Sequence, residues 1–363
     1  MPFLTDMYHE QNRRRAEQES GADSSAAPES GPAFSPESLS TWLSAGVLGQ
    51  DEAIEAVVRA VLIAHVGAGR PDRPLSTLLL VGPTGVGKTE LVRQLAARLR
   101  SGPDDLCRVD MNSFAQEHYA ASFSGAPPGY AGSKESFSVF DPSTVEGDPY
   151  TPGIVLFDEV EKAHPTVLRA LLQVLDTGRL RLANGQRTIS FRNSLVFLTS
   201  NLGTAEHARR RTTRWRRLLD RLGGRRPTAL ARMAAHGDQE AVLAAVRTFF
   251  DPEFLNRIDE TVRFHELTPA QAKLITRRET DLLRARLARR SIQLEIDDSV
   301  IATVTKAGFD PVYGARGIAR AVRTMIASPA AAEIVRTRPT GTADLTITAT
   351  VTNNDIVFTA TGR

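Results

Sequence analysis

Gly82, Pro83, Thr84, Gly85, Val86, Gly87, Lys88 and Thr89 fit the spacing G-x-x-x-x-G-K-[ST]. Glycines at these positions let backbone N–H groups turn inward around a phosphate, and the helix that follows points its positive dipole end at the same anion. Lys88 is placed to reach β- and γ-phosphates, and Thr89 to offer its hydroxyl to Mg2+. Leu78, Leu79, Leu80 and Val81 read as a buried parallel strand entering this turn, and a helix over Glu90–Leu99 leaves it. Roughly seventy residues on, Gly153-Ile-Val-Leu-Phe reads as a second buried strand with Asp158 and Glu159 at its C-terminal end. In open α/β sheets that end faces the ligand crevice. Asp158 is then positioned to hold Mg2+ through its water shell, and Glu159 to orient and polarise an attacking water. Such a pair also caps the next helix in many proteins; the phosphate loop upstream favours the catalytic reading. A further strand, Asn193–Thr199, ends in Ser200 and Asn201, which brings a third polar side chain to the same edge as a γ-phosphate sensor.

The elements that must hold these groups are legible along the chain. Residues 1 to 38 are rich in Ser, Ala, Gly, Pro and Glu and are expected to form a disordered tail. Asp51 is expected to cap a helix carrying Ile54, Val57, Val58, Val61 and Leu62 at helical spacing. Cys107–Met111 reads as a short strand, Pro165–Asp176 as a helix, and Asn184-Gly185 as a hairpin turn. Residues 249–264 are expected to hold a short helix and a strand. Thr268 caps a helix over Pro269–Arg290, Ser299 starts another, and Gly314-Ala315-Arg316-Gly317 opens a third. Ala343–Val351 and Asp355–Thr359 alternate apolar and polar residues as a small hairpin.

With 363 residues the chain has room for a large domain, a smaller one and a tail. Its single cysteine, Cys107, excludes an internal disulfide and a multi-cysteine metal site and fits a reducing cytoplasm. No apolar run approaches the ~20 residues that span a bilayer. The net charge of +3 hides a concentration: Arg209–Arg232 holds ten arginines and one acid, a local +9 that leaves −6 for the remainder. Three readings of this stretch stay open: a solvated face, a dock for an acidic protein surface, and a nucleic-acid contact.

Taken in order, Gly-Pro-Thr-Gly-Val-Gly-Lys-Thr-Glu, Gly-Ala-Pro-Pro-Gly-Tyr, Asp-Glu-Val-Glu-Lys-Ala-His-Pro, Leu-Leu-Gln-Val-Leu-Asp-Thr-Gly-Arg-Leu, Thr-Ser-Asn-Leu-Gly, Pro-Glu-Phe-Leu-Asn-Arg-Ile-Asp-Glu and Tyr-Gly-Ala-Arg resemble the AAA+ ATPases. More narrowly, they resemble the second ATPase module of the ClpA and ClpB unfoldases, over roughly Trp42 to Phe358. The resemblance implies an α/β fold: a three-layer α/β/α large domain with a parallel sheet over 39–266, followed by a small α+β lid domain over 267–363. ATP and Mg2+ are the implied cofactors. Val47 and Leu48 resemble the adenine-contacting pair, and the phosphate-loop set extends from Gly82 to Glu90. Asn201 matches sensor 1, Arg316 the sensor 2 arginine, and Arg257 an arginine finger that serves the neighbouring subunit's site. Tyr130 and Ala131 match a pore loop that grips extended polypeptide. A homo-hexameric ring is therefore implied.

Several departures qualify what the resemblance implies. The family's amino-terminal domain, first ATPase module and coiled-coil middle domain have no counterpart in this sequence, so a single ring is expected. Pro142, Gly147, Pro149 and Pro152 interrupt the stretch after the pore loop, where the family continues into a helix. No Ile-Gly-Leu or Ile-Gly-Phe occurs between Gly203 and Phe249, which disfavours docking to a peptidase barrel and leaves 209–232 as the candidate site for an adaptor or acidic partner. The leading expectation is a remodeller that threads polypeptide through a central pore. A nucleotide-dependent assembly switch that clamps one partner is the alternative, and nucleic-acid remodelling is the least supported.

Overall fold

Apolar runs too short for helices and bounded by glycine and proline form the central strands, and their lack of alternation shows that both faces are covered. β1 (Ser76–Val81), β3 (Gly153–Asp158) and β6 (Ser194–Ser200) are buried along nearly their whole length. In this computed structural model, which describes residues 35–116, 123, 139–148, 151–182, 188–202, 242–310, 314–337, 345–353 and 355–362, they are the middle of a five-stranded parallel sheet. Its order is β2 (Cys107–Asp110), β3, β6, β1, β7 (Glu260–Arg263). The register sets Asp110 opposite Asp158 and Val81 opposite Ser200, so the polar strand ends share one edge.

The helices around the sheet are α1 (Pro36–Gly46), α2 (Asp51–His65), α3 (Lys88–Leu99), a single turn α4 (Pro142–Val145), α5 (Pro165–Thr177) and α6 (Pro252–Leu255). Residues 242–249 are helical as well. β4 (Arg179–Arg181) and β5 (Thr188–Ser190) pair antiparallel, as a hairpin requires, although Asn184 and Gly185 lie outside the described residues. One side of the sheet is filled by aromatic rings. Phe123 packs edge-on against Phe114 and Phe140 at centroid distances of 5.5 and 5.2 Å, and Phe140 against Phe191 at 5.5 Å.

The C-terminal part is built separately, with its own core. α7 (Pro269–Ala288) opens on a complete capping box, Thr268 with Gln271, and then come β8 (Ile292–Ile296), α8 (Asp298–Gly308), α9 (Arg316–Val322), α10 (Ser328–Thr337), β9 (Leu345–Thr352) and β10 (Asp355–Gly362). Ile318, Val304, Ile326 and Ile347 are fully enclosed there.

The structure corrects several expectations. Helix α1 begins at Pro36, inside the stretch expected to be tail, because Leu39 and Leu43 are buried. Asp51 is the first residue of α2 rather than its cap: Gln50 holds the cap position without a side-chain cap bond, because its amide is engaged elsewhere. α8 starts at Asp298, one residue before the expected Ser299, with Asp297 as its cap. The C-terminal hairpin is two strands of a three-stranded sheet, with β8 parallel to β9; Gln293 and Glu295 disguised β8 among the charges that end α7. No helix among the described residues is long and apolar enough to cross a membrane.

The aromatic cluster yields a prediction. Phe140→Ala removes the ring that links Phe123 to Phe191 and is expected to cost about 3–5 kcal/mol, read as a lowered denaturation midpoint.

Candidate active site

Gly87, in the left-handed region at φ 106°, ends the phosphate loop and starts α3. The ammonium of Lys88 therefore folds back beneath the loop. It donates to the carbonyls of Gly82 (2.6 Å) and Pro83 (2.8 Å) and to Asn201 Oδ1 (2.8 Å). Burial pushes Lys88 down to about 8, against the pull of Glu161, Asp158 and Glu159; Arg316 adds to the push.

The end of β3 supplies the facing carboxylates. Glu159 is a non-glycine residue at φ 59°, ψ 54°, a conformation held in place by its N–H bond to Thr199 Oγ1 (2.9 Å). Its Oε1 lies 3.4 Å from Asn201 Nδ2, so Asn201 links the lysine to the glutamate. Asp158 Oδ1 accepts from Thr199 Oγ1 at 2.5 Å, and its Oδ2 lies 2.6 Å from Arg108 Nη2. Thr89 Oγ1 is 3.4 Å from both oxygens of Asp158. A hydroxyl and a carboxylate at that separation are a hard oxygen pair of the kind Mg2+ uses when it keeps most of its water shell. Among the described residues no cluster of three or more His, Cys, Asp or Glu offers an all-protein metal cage.

A cavity of about 830 Å³ joins these groups. Val47 and Leu48 line it on one side with Leu267, Ile275 and Leu282, an apolar slot suited to a flat base, while Thr84–Glu90, Asp158, Glu159, Asn201 and Arg316 line the polar end. Gly82 and Pro83 stay behind the wall, where they contribute only carbonyls to Lys88. Arg316 comes from the C-terminal part, at the start of α9. It is delivered by a turn that rests on the phosphate loop: Ala315 N–H bonds Gly85 O at 3.0 Å, and a Cβ on Gly314 (φ 63°) would meet that same oxygen at 2.6 Å. Arg257 lies outside this cavity. Its Nε sits 2.9 Å from Asp176 Oδ1, a charge contact not aligned as a hydrogen bond, and the carboxylate is shared with Arg73. Tyr130, Ala131 and 209–232 lie outside the described residues.

Four contributors escaped the sequence reading. Arg108 carried no signal beyond being a charge in a short strand. Gln50, wholly buried, pairs its amide with both the N–H (2.9 Å) and C=O (3.0 Å) of His265, and so ties the start of α2 to the exit of β7. Arg278, from α7, donates to the carbonyl of Gly46 beside the apolar slot. Glu161 was visible in Asp-Glu-Val-Glu, but its task was not: its Oε1 receives the backbone N–H of Asn201 at 3.1 Å.

The profile of the AAA domain (Cdc48 subfamily) matches residues 73–261, and that of the C-terminal, D2-small domain of ClpB protein matches 267–345. The chain belongs to the AAA ATPases. It is similar at 58% identity to an "ATP-dependent protease ATP-binding subunit-like protein" of Rhodococcus erythropolis, over 98% of both chains. It is 40% identical to the "ATP-dependent protease ATP-binding subunit-like protein AmiB" of Pseudomonas aeruginosa, over 92% of this chain and 93% of that one. The "Chaperone protein ClpB" of Vibrio cholerae is 43% identical over 80% of this chain, which spans 31% of its length. Within the family this chain is therefore a ClpB-like second ATPase module, and it is an ATPase.

For this ATPase the buried lysine predicts a proton signature. A bound polyphosphate favours the ammonium, so ADP affinity is expected to fall as pH rises above about 8, by up to about tenfold per pH unit. At pH 9 binding should take up a proton, which calorimetry in buffers of different ionisation enthalpy would register; binding without uptake would mean that Lys88 stays charged throughout.

Proposed function

We propose that this ATPase works as a homo-hexameric ring that couples ATP hydrolysis to the threading of polypeptide through a central pore. The observation that carries the reading is the convergence of Lys88, Thr89, Asp158, Glu159, Asn201 and Arg316 on one cavity while Arg257 stays outside it. A site with every in-chain group but a distant arginine finger suits completion by a neighbouring subunit.

In this reading adenine lies in the slot of Val47 and Leu48. Loop N–H groups from Gly85 to Thr89 cradle the phosphates, and Lys88 exchanges its carbonyl partners for phosphate oxygens. Glu159 accepts the proton of the attacking water, which Asn201 helps to orient. Mg2+, when bound, neutralises phosphate charge, and Thr89 with Asp158 would hold it and its water shell. Arg316 follows the bound nucleotide. Because its turn rests on Gly85, a change at the phosphates is passed directly to the C-terminal part. Tyr130 and Ala131 serve as the paddle on the substrate, an aromatic surface that grips by contact area. The reading places the protein in the cytoplasm, with 209–232 as a dock for an adaptor or acidic partner.

A second reading draws on two relatives named as ATP-dependent protease ATP-binding subunit-like. There the ring would feed a peptidase, with a docking element other than an Ile-Gly-Phe loop. Peptidase-dependent loss of an unfolded substrate in the presence of ATP would favour it.

Glu159→Gln is expected to bind ATP and stop turnover. Arg257→Ala should lower kcat by about 10³ or more with little change in nucleotide affinity, and mixing it with Glu159→Gln should restore hydrolysis at mixed interfaces. A permanently unfolded polypeptide should stimulate steady-state hydrolysis. Tyr130→Ala should keep basal hydrolysis and lose that coupling; remodelling that survives the change would refute threading.

A further inference from the structure

We infer that Arg108 is a resident counter-cation on Asp158, displaced when Mg2+ enters with nucleotide, and that it thereby sets the Mg2+ concentration the site demands. The inference rests on the MgATP reading of the cavity. Its ground is the way the Asp158 carboxylate is filled. The side chain is 13% exposed, too enclosed for water to balance its charge, and each oxygen already has one close donor. Oδ1 is taken by the Thr199 hydroxyl at 2.5 Å and Oδ2 by Arg108 at 2.6 Å, whereas Thr89, on the phosphate-loop side, stands off at 3.4 Å from both.

Thr199 is neutral and part of β6, so it can stay. Arg108 is charged and 54% exposed, on a side chain that reaches Asp158 from β2 and has solvent to retreat into. A divalent ion between Thr89 and Asp158 would stand within a few ångströms of the guanidinium. At that distance like charges repel strongly in a partly enclosed site. Arg108 and the ion therefore compete for one carboxylate. Arg108 also lines the cavity, together with Asp110 and Asn112, so its release is into space the structure provides. The guanidinium keeps Asp158 compensated while the site is empty and yields it when the stronger cation arrives.

The test is equilibrium binding of a fluorescent ADP analogue to the full chain, titrated with Mg2+ and, separately, in EDTA. Arg108→Gln is expected to lower the Mg2+ midpoint by about threefold or more, the scale of one partly exposed ion pair. Arg108→Lys, which keeps the charge, should stay near wild type, and affinity in EDTA should be the same for all three. An unchanged or raised midpoint in Arg108→Gln would overturn the inference, and so would weaker binding in EDTA, which would make Arg108 a phosphate ligand. If the wild-type chain binds ADP with no Mg2+ dependence, the MgATP reading itself fails. Equal thermal midpoints of the three proteins exclude misfolding.

Discussion

A lysine that is only 7% exposed is the constraint around which this molecule is arranged. Lys88 cannot be left without partners in the interior, and among the described residues no single carboxylate forms an ion pair with it. Its charge is spread over two loop carbonyls and Asn201 by hydrogen bonds, and over Glu161, Asp158 and Glu159 through space. Those groups arrive from three places, the loop after β1, the end of β3 and the end of β6. The parallel sheet is therefore the device that gathers the partners of the lysine at one edge.

The same need for partners shapes the edge at the ends of β3 and β6. Asn201 contacts both the lysine and Glu159, and its backbone N–H is held by Glu161, so a displacement of Lys88 toward phosphate reaches the glutamate through one side chain. Glu159 accepts a left-handed backbone because Thr199 fixes its N–H, which spends conformational energy to point a carboxylate into the cavity. Thr199 also holds Asp158, so one hydroxyl on β6 positions both members of the acidic pair.

The C-terminal part is joined to this centre by a close backbone contact at Gly85 and by the cationic side chain of Arg278. Gly314 leaves room for its turn to lie on Gly85, Gln50 clamps His265 at the exit of β7, and Arg278 reaches Gly46 beside the apolar slot. The first and last of these contacts involve residues that line the cavity, Gly85 at one and Gly46 with Arg278 at the other. An occupant of the cavity therefore touches both parts of the chain at once.

Amino-acid order alone determined the phosphate loop, the acidic pair, the placing of Asn201 at the end of a strand and the capped helix at Thr268. Each is written in contiguous residues whose backbone preferences and hydrophobic runs act locally: a strand, a glycine turn, a helix start. Misplaced boundaries, such as the cap of α2 at Gln50 and the start of α8 at Asp298, arose where adjacent polar residues are equally able to begin a helix. Only the tertiary structure decided which groups surround Asp158, what Gln50 holds, and that Gly314 rests on the loop. The reason is the strand order β2, β3, β6, β1, β7, which sets residues 50 positions apart, as Arg108 and Asp158 are, or 215 apart, as Gln50 and His265 are, within hydrogen-bond reach. Local preference cannot specify such contacts, because they exist only once the crossovers have been made and the sheet has closed around them.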